Sequence, residues 1–285
     1  MKHCVLCGNE SPLPFMEKKG CLIVRCGECG HKYLDLEPRE AELEALYSED
    51  YFVNKNCDGG YGDYFAGERH LKINFRRRIR IIEKFQSGGA LLDIGCGPGF
   101  FMESLSSNWT ARGIDISGFA CEAAAQRGNS VTRGLFDPAL FEPESFDAVT
   151  LWNMIEHFND PLQSLKGIHG ILKPGGVCGI YTCNADSLFA RLCGRYWHLF
   201  IIPEHLHFFS KRTLQEMLRE SGFEILFAHS EFLFFSLDYL VERVHKAFGR
   251  NPDRNKRPGF LKNILNRIVI PVNFFDTITV YARKI

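Results

Sequence analysis

The chain contains 285 residues, 45% of them hydrophobic, which is enough for one large domain with a packed core and a small additional module. Basic and acidic side chains number 34 each, so the formal net charge is zero and no global positive field favours nucleic acid as a partner. The polar, cysteine-bearing N-terminus does not resemble a secretory signal, and no uncharged run reaches the ~18 residues that would span a bilayer.

The first predicted element is a small metal-binding module. Eleven cysteines without a signal sequence favour thiols that stay reduced in the cytoplasm. Four of them form two CxxC pairs, Cys4 with Cys7 and Cys26 with Cys29, and a glycine follows each pair. Each pair has the spacing of a tight turn whose two thiolates bind one tetrahedral zinc ion. Residues 1–36 are therefore predicted to be a zinc ribbon with a structural Zn²⁺, the alternative being four unrelated buried thiols.

Residues 37–88 are predicted to be a linker and lid region between the ribbon and the main domain. Apolar side chains at helical spacing predict helices over 38–47 and 68–85. Between these helices, the aromatic residues of the stretch 51–65 stand among Asn, Asp and Gly. They either cover a ligand or pack the ribbon onto the main domain. The run Arg76–Arg78 is interpreted as a solvent-exposed face.

The central motif of the sequence is LLDIGCGPGFF. Residues 90–94 form a short apolar run that fits a buried parallel strand, and Gly95, Gly97 and Gly99 follow at alternate positions. A strand that turns abruptly into a helix needs glycine where φ is positive or where a ligand approaches the backbone. A nicotinamide or flavin turn, G-x-G-x-x-G, is the rival interpretation, but here the third glycine comes one position early.

After the glycine turn, a helix is predicted over 100–106 and a second strand over 111–116. Asp115 lies in that strand about 20 residues past the first glycine, where a doubly wound sheet presents a carboxylate to the hydroxyls of a ribose. Ser117 is predicted to cap the next helix, and Val131 falls in the third strand.

A fourth predicted strand, residues 148–151, leads into the segment WNMIEHF. Ligands bind outside the carboxyl ends of the strands in an open α/β sheet, so the polar side chains of this segment are candidate site residues. They are Asn153, Glu156 and His157. An Asp-Pro pair then begins a helix, and residues 177–182 form the fifth predicted strand.

The stretch after the fifth strand departs from the regular alternation. Residues 184–209 are rich in aromatic and basic side chains, include His205 and His207, and are predicted to form a lid or a substrate wall. Ser210 then caps a further helix. The two remaining predicted strands are 223–229 and 277–283.

A second insertion covers residues 232–271. Its apolar residues, Leu233 and Phe234 among them, follow helical spacing, and lysines and arginines lie nearby. One interpretation is a pair of helices that packs on the sheet or on the second subunit of a homodimer. The alternative is a basic amphipathic surface that makes peripheral contact with an anionic membrane or meets a lipid-linked acceptor.

The motifs LDIGCGPG, GIDIS, SFDAVTLWNMIEHFNDP, LKPGG and EHLHFFS together resemble those of one family, in the same order. That family is the class I S-adenosylmethionine (SAM) methyltransferases. Several bacterial members, which act on small molecules or sugars, also carry an N-terminal CxxC–CxxC ribbon. The resemblance implies SAM as the cofactor and an α/β fold, in which residues 89–285 form a Rossmann-like seven-stranded sheet with helices on both faces.

The resemblance also assigns roles to individual residues. The implied SAM contacts are Asp93, Gly95, Cys96, Gly97, Gly99, Asp115, Ile116, Phe136, Asp137 and Asn153. Methyl transfer to an oxygen needs a base that removes a proton, and histidine is suited to that role. The candidates for catalysis are His157, His205, His207 and Glu156.

A weaker similarity connects the chain with ubiquinone-pathway and small-RNA 2′-O-methyltransferases, which carry E-x-x-E-H and a later histidine. In such an arrangement a carboxylate and imidazoles hold a divalent ion that activates a hydroxyl. Here Asn153, a neutral and weaker ligand, replaces the first acid. The metal-dependent mechanism is therefore kept as an alternative.

The expected function is SAM-dependent methylation of a small molecule, such as a sugar nucleotide or a natural-product intermediate. Oxygen is the first choice of acceptor atom, with carbon and nitrogen left open. The other hypotheses are an RNA or protein methyltransferase that uses the ribbon for recognition, and a non-catalytic SAM-binding scaffold. The neutral charge argues against nucleic acid, and the intact glycine turn with Asp93 and Asp115 argues against a scaffold.

Overall fold

A computed structural model describes residues 3–53, 64–241 and 264–285. The strands are β1 (Leu13–Lys18), β2 (Cys21–Arg25), β3 (Lys32–Leu34), β4 (Gly89–Ile94), β5 (Trp109–Asp115), β6 (Val131–Arg133), β7 (Phe146–Trp152), β8 (Leu172–Cys183), β9 (His207–Phe208), β10 (Phe223–His229), β11 (Leu233–Ser236), β12 (Val269–Val272) and β13 (Thr277–Lys284). The helices are α1 (Glu40–Leu46), α2 (Glu49–Val53), α3 (Glu68–Ile82), α4 (Gly118–Gln126), α5 (Pro161–Ile171), α6 (Leu188–Cys193) and α7 (Lys211–Glu220).

The main sheet has seven strands in the order β10-β13-β8-β7-β4-β5-β6. Neighbouring strands from β8 to β6 are parallel, and β13 lies antiparallel between β8 and β10. This order confirms the predicted Rossmann-like sheet. The sheet places the carboxyl ends of β4, β5 and β7 side by side at one edge, which is where a ligand binds in such a fold.

Apolar cores lie on both faces of the sheet, because successive side chains of a strand point to opposite sides. Leu91 of β4 packs in one cluster with Ile82 of α3. Leu92, the next residue, packs in the other cluster with Leu165 of α5 and Leu214 of α7. The prediction of helices on both faces is confirmed.

Three helices begin at the predicted capping residues. Each cap side chain accepts a hydrogen bond from a backbone amide that the first turn leaves unpaired. The pairs are Ser117 with Ala120 (3.3 Å), Asp160 with Gln163 (2.9 Å) and Ser210 with Thr213 (3.1 Å).

The helix predicted over 100–106 is wrong. The chain forms only a short 3-10 turn, Met102–Ser104, after the glycines. Phe100 and Phe101 are both buried, but the ring of Phe101 packs against Trp152 and that of Phe100 against the aromatic segment before α3. Two consecutive side chains buried in different places do not fit the single apolar stripe of a surface helix.

The arginine run on α3 is only partly exposed, which corrects the interpretation of a solvent-exposed face. Arg76 and Arg77 are exposed, whereas Arg78 is buried. The Arg78 guanidinium lies 2.7 Å from the carboxylate of Glu231 and 3.9 Å from the centre of the Tyr181 ring. Burial of this charge is tolerated because it is paired and covered by an aromatic face.

The helix predicted to include Leu233 and Phe234 is also wrong at these positions. Both residues belong to β11, which pairs antiparallel with β12. The side-chain amide of Asn74 on α3 exchanges two hydrogen bonds, at 2.8 and 3.1 Å, with the backbone of Phe234 and so extends this ladder. Most of the predicted basic amphipathic surface, residues 242–263, lies outside the described residues.

The N-terminal segment forms a hairpin, β1-β2, and a third strand, β3, which joins the sheet order β1-β2-β3-β9. Strand β9 belongs to the predicted insertion 184–209, so the ribbon and the insertion share one small sheet. They also share a core in which Ile23 and Leu34 pack with Trp197 and Leu206. Among the described residues, no helix is both long enough and apolar enough to cross a membrane.

Candidate active site

The glycine turn connects β4 to the 3-10 turn and lies at the carboxyl edge of the sheet. Gly95, Gly97 and Gly99 all have positive φ values, of 71°, 53° and 83°. A side chain at Gly95 would lie 2.6 Å from the sulfur of Met154, and one at Gly99 would lie 2.4 Å from the Asn129 amide. Both the conformation and the space therefore require glycine at these two positions.

A cavity of about 480 Å³ opens beside this turn. Seven of the ten predicted cofactor contacts line it: Gly95, Gly97, Asp115, Ile116, Phe136, Asp137 and Asn153. The cavity therefore brings together residues that follow four different strands. Its lining is mainly apolar, with polar groups at a few points, as is typical of a small-molecule site.

Asp115 connects the strand end to the glycine turn. Its carboxylate accepts hydrogen bonds from the amides of Gly97 (2.8 Å) and Ser117 (2.9 Å), one on each oxygen. Burial raises the pKa of Asp115 above its usual value, and these two hydrogen bonds act in the opposite direction. Each oxygen retains a further lone pair, so the carboxylate can also accept hydrogen bonds from a ligand in the cavity.

Three predicted cofactor contacts do not line the cavity. Asp93 is buried below the turn and accepts a hydrogen bond of 2.7 Å from the Thr150 hydroxyl. Burial raises the pKa of Asp93 to about 7. Cys96 packs over Gly113 of β5, and Gly99 faces Asn129. Their visible role is to hold the shape of the turn.

Aromatic residues from the N-terminal linker contribute a wall of the cavity. The wall consists of Tyr47, Tyr51, Phe52 and Tyr64, and all four line the cavity. Tyr51, Phe52 and Tyr64 belong to the aromatic stretch for which the sequence left two interpretations open. The sequence does not single out Tyr47, because its position on the apolar side of the predicted helix 38–47 fits a core residue and a ligand contact equally.

Glu156, His157 and His205 form a cluster beside the cavity. Each offers one oxygen or nitrogen atom, and these atoms all lie within 4.8 Å of one another. All three residues are buried, and His157 lines the cavity. The two imidazoles meet edge to face, with ring centres 4.9 Å apart. Segments that lie about 50 residues apart in sequence thus converge on one point.

Backbone carbonyls orient both histidines of this cluster. The Nδ1 of His157 donates to the carbonyl of Glu204 (2.7 Å), and that of His205 donates to the carbonyl of Leu199 (3.1 Å). A carbonyl only accepts, so in each neutral ring Nδ1 carries the proton and Nε2 the lone pair. His157 has a further backbone hydrogen bond, with Asn153. The hydroxyl of Tyr47 also lies 2.7 Å from Nδ1 of His157 and connects the aromatic wall with the cluster.

Only one of the two carboxylate oxygens of Glu156 has a hydrogen-bond partner among the described residues. Its Oε2 accepts from the Thr182 hydroxyl at 2.8 Å, whereas Oε1 is buried and has no hydrogen-bond partner among the described residues. Burial raises the pKa of Glu156 to about 7 and lowers that of His157 to about 4, because the charged form of each group loses its hydration. Burial lowers the pKa of His205 as well.

His207, the remaining candidate for catalysis, does not belong to this cluster. Its Nδ1 is 3.0 Å from Nε2 of His31, and the two buried rings are stacked. The structure therefore brings Glu156, His157 and His205 together and places His207 against the ribbon.

The four predicted zinc ligands are also close together. The sulfur atoms of Cys4, Cys7, Cys26 and Cys29 all lie within 4.8 Å of one another. Each CxxC pair closes a matching turn, in which the amide of Gly8 or Gly30 donates to the carbonyl of the first cysteine of its pair. Two such turns that face each other fit the tetrahedral thiolate set that zinc prefers.

Comparison with known proteins places this geometry among methyltransferases. A family profile described as a methyltransferase domain matches residues 65–227, which is more than half of the chain. Two similar curated relatives are named ubiquinone biosynthesis O-methyltransferase. The one from Thiobacillus denitrificans is 33% identical over 48% of this chain, and the one from Pseudomonas syringae is 36% identical over 49%. The matched stretch covers 66% of each relative, just under two thirds of its length.

A solved structure shows the same fold. A SAM-dependent methyltransferase from Archaeoglobus fulgidus superposes with a TM-score of 0.52 at 21% identity. The superposition covers 76% of this chain and 94% of that one. At this identity the likeness concerns the fold alone.

Proposed function

Since this chain belongs to the methyltransferase-domain family, within the class I SAM-dependent methyltransferases, we propose that it transfers a methyl group from SAM to a small-molecule acceptor. The observation that carries the proposal is the joint placement of the glycine turn, Asp115 and Asn153 around one cavity. In this proposal the turn receives the methionine end of SAM, Asp115 receives the ribose and Asn153 lies near the sulfonium. The aromatic wall excludes water from the cofactor.

The reaction is an in-line displacement. The acceptor oxygen forms a bond to the methyl carbon while the carbon–sulfur bond breaks. The electron pair of the broken bond stays on sulfur, so the sulfonium becomes a neutral thioether. Much of the acceleration comes from positioning the two partners. The hydroxyl proton goes to an imidazole, and we assign this role to Nε2 of His157 or His205, whose lowered pKa keeps the ring neutral and therefore able to accept a proton. A base in this role contributes ~10²–10⁴-fold.

Oxygen is favoured as the acceptor atom for two reasons. The cluster of Glu156, His157 and His205 supplies proton acceptors that a hydroxyl needs, and the similar curated relatives are named O-methyltransferases. A sugar nucleotide or a natural-product intermediate remains the proposed class of acceptor. Methylation of RNA or protein, and a scaffold without activity, are outcomes that the experiments below distinguish.

The same cluster fits a divalent ion. Glu156 offers a buried oxygen without a partner among the described residues, and His157 and His205 offer two imidazole nitrogens held from behind by carbonyls. When bound, such an ion would act as a Lewis acid that lowers the pKa of the acceptor hydroxyl. The enzymes with the E-x-x-E-H pattern have an acid where this chain has Asn153. The ligand set of this chain therefore contains one carboxylate fewer than theirs.

Metal content and activity test the ion together. After chelation, activity is titrated with Mg²⁺, Mn²⁺ and Zn²⁺, and bound metal is counted in wild type, Glu156→Gln and Cys7→Ser. A catalytic ion predicts that E156Q loses one ion and the metal-dependent activity but keeps the cysteine-bound zinc, which C7S loses. Turnover that chelation leaves unchanged would remove the catalytic ion from the proposal.

We also propose a structural Zn²⁺ at Cys4, Cys7, Cys26 and Cys29. The support is the close packing of the four sulfur atoms and the two matching turns. All four positions are then taken by protein, which leaves no open coordination site for a substrate.

Calorimetry with SAM and its demethylated product tests the cofactor assignment. Asp115→Asn removes a charged acceptor, so its dissociation constant should rise about 10- to 100-fold, because a hydrogen bond to a charged group contributes ~1.5–3 kcal/mol. Glu122→Gln, on the exposed side of α4, is the matched control and should bind as wild type does. Absence of binding heat in the wild type would refute the proposal.

Radiolabelled SAM with fractionated cell extract then identifies the acceptor class. Label in the small-molecule fraction is the expected result. Label in RNA or protein supports the recognition hypothesis for the ribbon, and cofactor binding without any transfer supports the scaffold.

A further inference from the structure

The ribbon is hydrogen-bonded to the segment that carries His205 and His207. Strand β3 of the ribbon pairs antiparallel with β9, with Tyr33 opposite His207. One residue beyond this pairing, the amide of Leu34 donates to the carbonyl of Leu206 at 2.8 Å. The backbone of the candidate catalytic segment is therefore held by the ribbon on one side.

The other side of the same segment contacts the Glu156 cluster. The amide of Leu206 donates to the carbonyl of Glu156 at 2.8 Å, and the ring of His205 meets that of His157. Leu206 thus receives a hydrogen bond from the ribbon and gives one to the cluster. A displacement of β3 would be transmitted to His205 through a single residue.

His31 adds a side-chain link at the same place. It comes directly after the glycine of the second CxxC turn, and its carbonyl accepts from the Cys26 amide at 2.9 Å. The imidazole is fully buried and pairs with His207 at 3.0 Å. Its surroundings are the aromatic rings of Tyr33 and Phe209. The methyl-transfer chemistry described above does not use this residue.

Both CxxC turns are anchored in the main domain. Val5, inside the first pair, packs in the same core as Phe209 and Leu214. The carbonyl of Cys29, at the end of the second pair, accepts a hydrogen bond from Arg212. In contrast, the residues that line the cavity, within the described part of the chain, begin at Leu43. The ribbon touches the catalytic segment but does not line the cofactor cavity.

We propose that the ribbon is a positioning element of the methyl-transfer site and that His31 is the positioning residue through which it aligns the His205–His207 segment. This inference rests on the proposed function. When the hydrogen bond between His31 and His207 is removed, we expect turnover to fall because His205 is misplaced. The affinity for the cofactor should be retained. A misplacement of about 1 Å in a catalytic group can lower the rate ~10²-fold.

The decisive variant is His31→Phe, which keeps an aromatic ring in the aromatic pocket and removes the hydrogen bond to His207. We expect kcat to fall roughly 10- to 100-fold, with a calorimetric dissociation constant for the demethylated cofactor within about twofold of wild type. His31→Gln supplies a side-chain amide that can hydrogen-bond to His207, so this variant should retain part of the kcat that H31F loses. Glu17→Gln, at an exposed position of β1, is the control and should leave kcat unchanged.

His31→Asn, with a smaller side chain, is measured alongside in case H31F does not fold. A kcat that stays at the wild-type value in the folded variants would overturn the inference. A raised KM for the acceptor with unchanged kcat would overturn it in favour of a recognition module. Failure of the wild type itself to bind SAM or to transfer methyl is a different result, which refutes the proposed function.

Discussion

At the residue scale, the site is a set of buried polar groups whose protonation depends on their surroundings. Asp93 and Glu156 are both buried, and each has one hydroxyl donor, from Thr150 and Thr182 respectively. Burial raises the pKa of both carboxyl groups to about 7, so they change charge close to neutral pH. Perturbed groups of this kind concentrate at functional sites.

Asp93 makes folding stability depend on pH. Its pKa is about 7 in the folded chain and about 3.9 in an unfolded one, so between these values the folded chain holds the proton more tightly. The contribution of Asp93 to stability is therefore present below about pH 4 and is lost as pH rises to 7. Asp93→Asn removes this dependence, and urea unfolding at pH 5 and pH 8 measures it.

The expected outcome is that wild type loses stability relative to D93N on going from pH 5 to pH 8, by about 1.4 kcal/mol for each pKa unit of the shift within that range. Glu122→Gln on the surface of α4 serves as the control and should follow the wild-type curve. Parallel curves for wild type and D93N would contradict the assignment.

At the element scale, α3 joins the aromatic wall to the sheet through buried polar contacts. Asn74 bonds the backbone of β11, and Arg78 pairs with Glu231 next to the ring of Tyr181. Glu231 also accepts from the Thr279 hydroxyl on β13 at 2.8 Å. These contacts set the orientation of the helix that follows the aromatic wall.

Substitution within the arginine run tests this anchoring. Arg78→Met leaves the buried carboxylate of Glu231 without its cation and should lower the free energy of unfolding by about 3–5 kcal/mol. The double variant R78M/E231M should recover much of this loss, because no charge then remains buried. Arg76→Met, two residues away and exposed, is the control and should unfold with the wild-type urea midpoint. An equal effect of R76M and R78M would count against the buried pair.

At the scale of the whole molecule, the ribbon and the methyltransferase domain are not separate bodies. Val5 belongs to the core under the main sheet, and Ile23 and Leu34 belong to a core shared with the insertion 184–209. A small ribbon has little core of its own, so the proposed zinc ion would supply much of its folding free energy. The shared cores then couple that free energy to the rest of the chain.

Removal of the proposed zinc ion should therefore destabilise the entire chain. We expect the denaturation temperature to fall by more than ~10 °C on chelation, in one calorimetric transition, because the lost metal-binding free energy is several kcal/mol. Chelator saturated with zinc is the control. A separate transition of the ribbon at low temperature, with an unchanged main transition, would show that the two parts unfold independently.

Local patterns in the sequence were sufficient to predict much of the regular secondary structure of this protein. The apolar runs of the central strands, the caps Ser117, Asp160 and Ser210, and the glycine turn depend on residues close together in the chain, so their physical causes are visible in one stretch. The order of motifs also indicated the sheet topology. Seven predicted cofactor contacts line one cavity for the same reason, because strand ends of a parallel sheet meet at one edge.

Tertiary structure decided everything that depends on pairing between distant residues. The burial of Arg78 needs Glu231, the extended form of Leu233 and Phe234 needs Asn74 and β12, and the place of Tyr47 needs His157. Each of these partners lies far away in the sequence, so a local pattern cannot predict the contact. The same holds for the division of roles between His205 and His207. Residues two apart in a regular strand share a face, but His205 lies before β9, so the two side chains diverge: His205 contacts Glu156 and His157, whereas His207 contacts His31 of the ribbon.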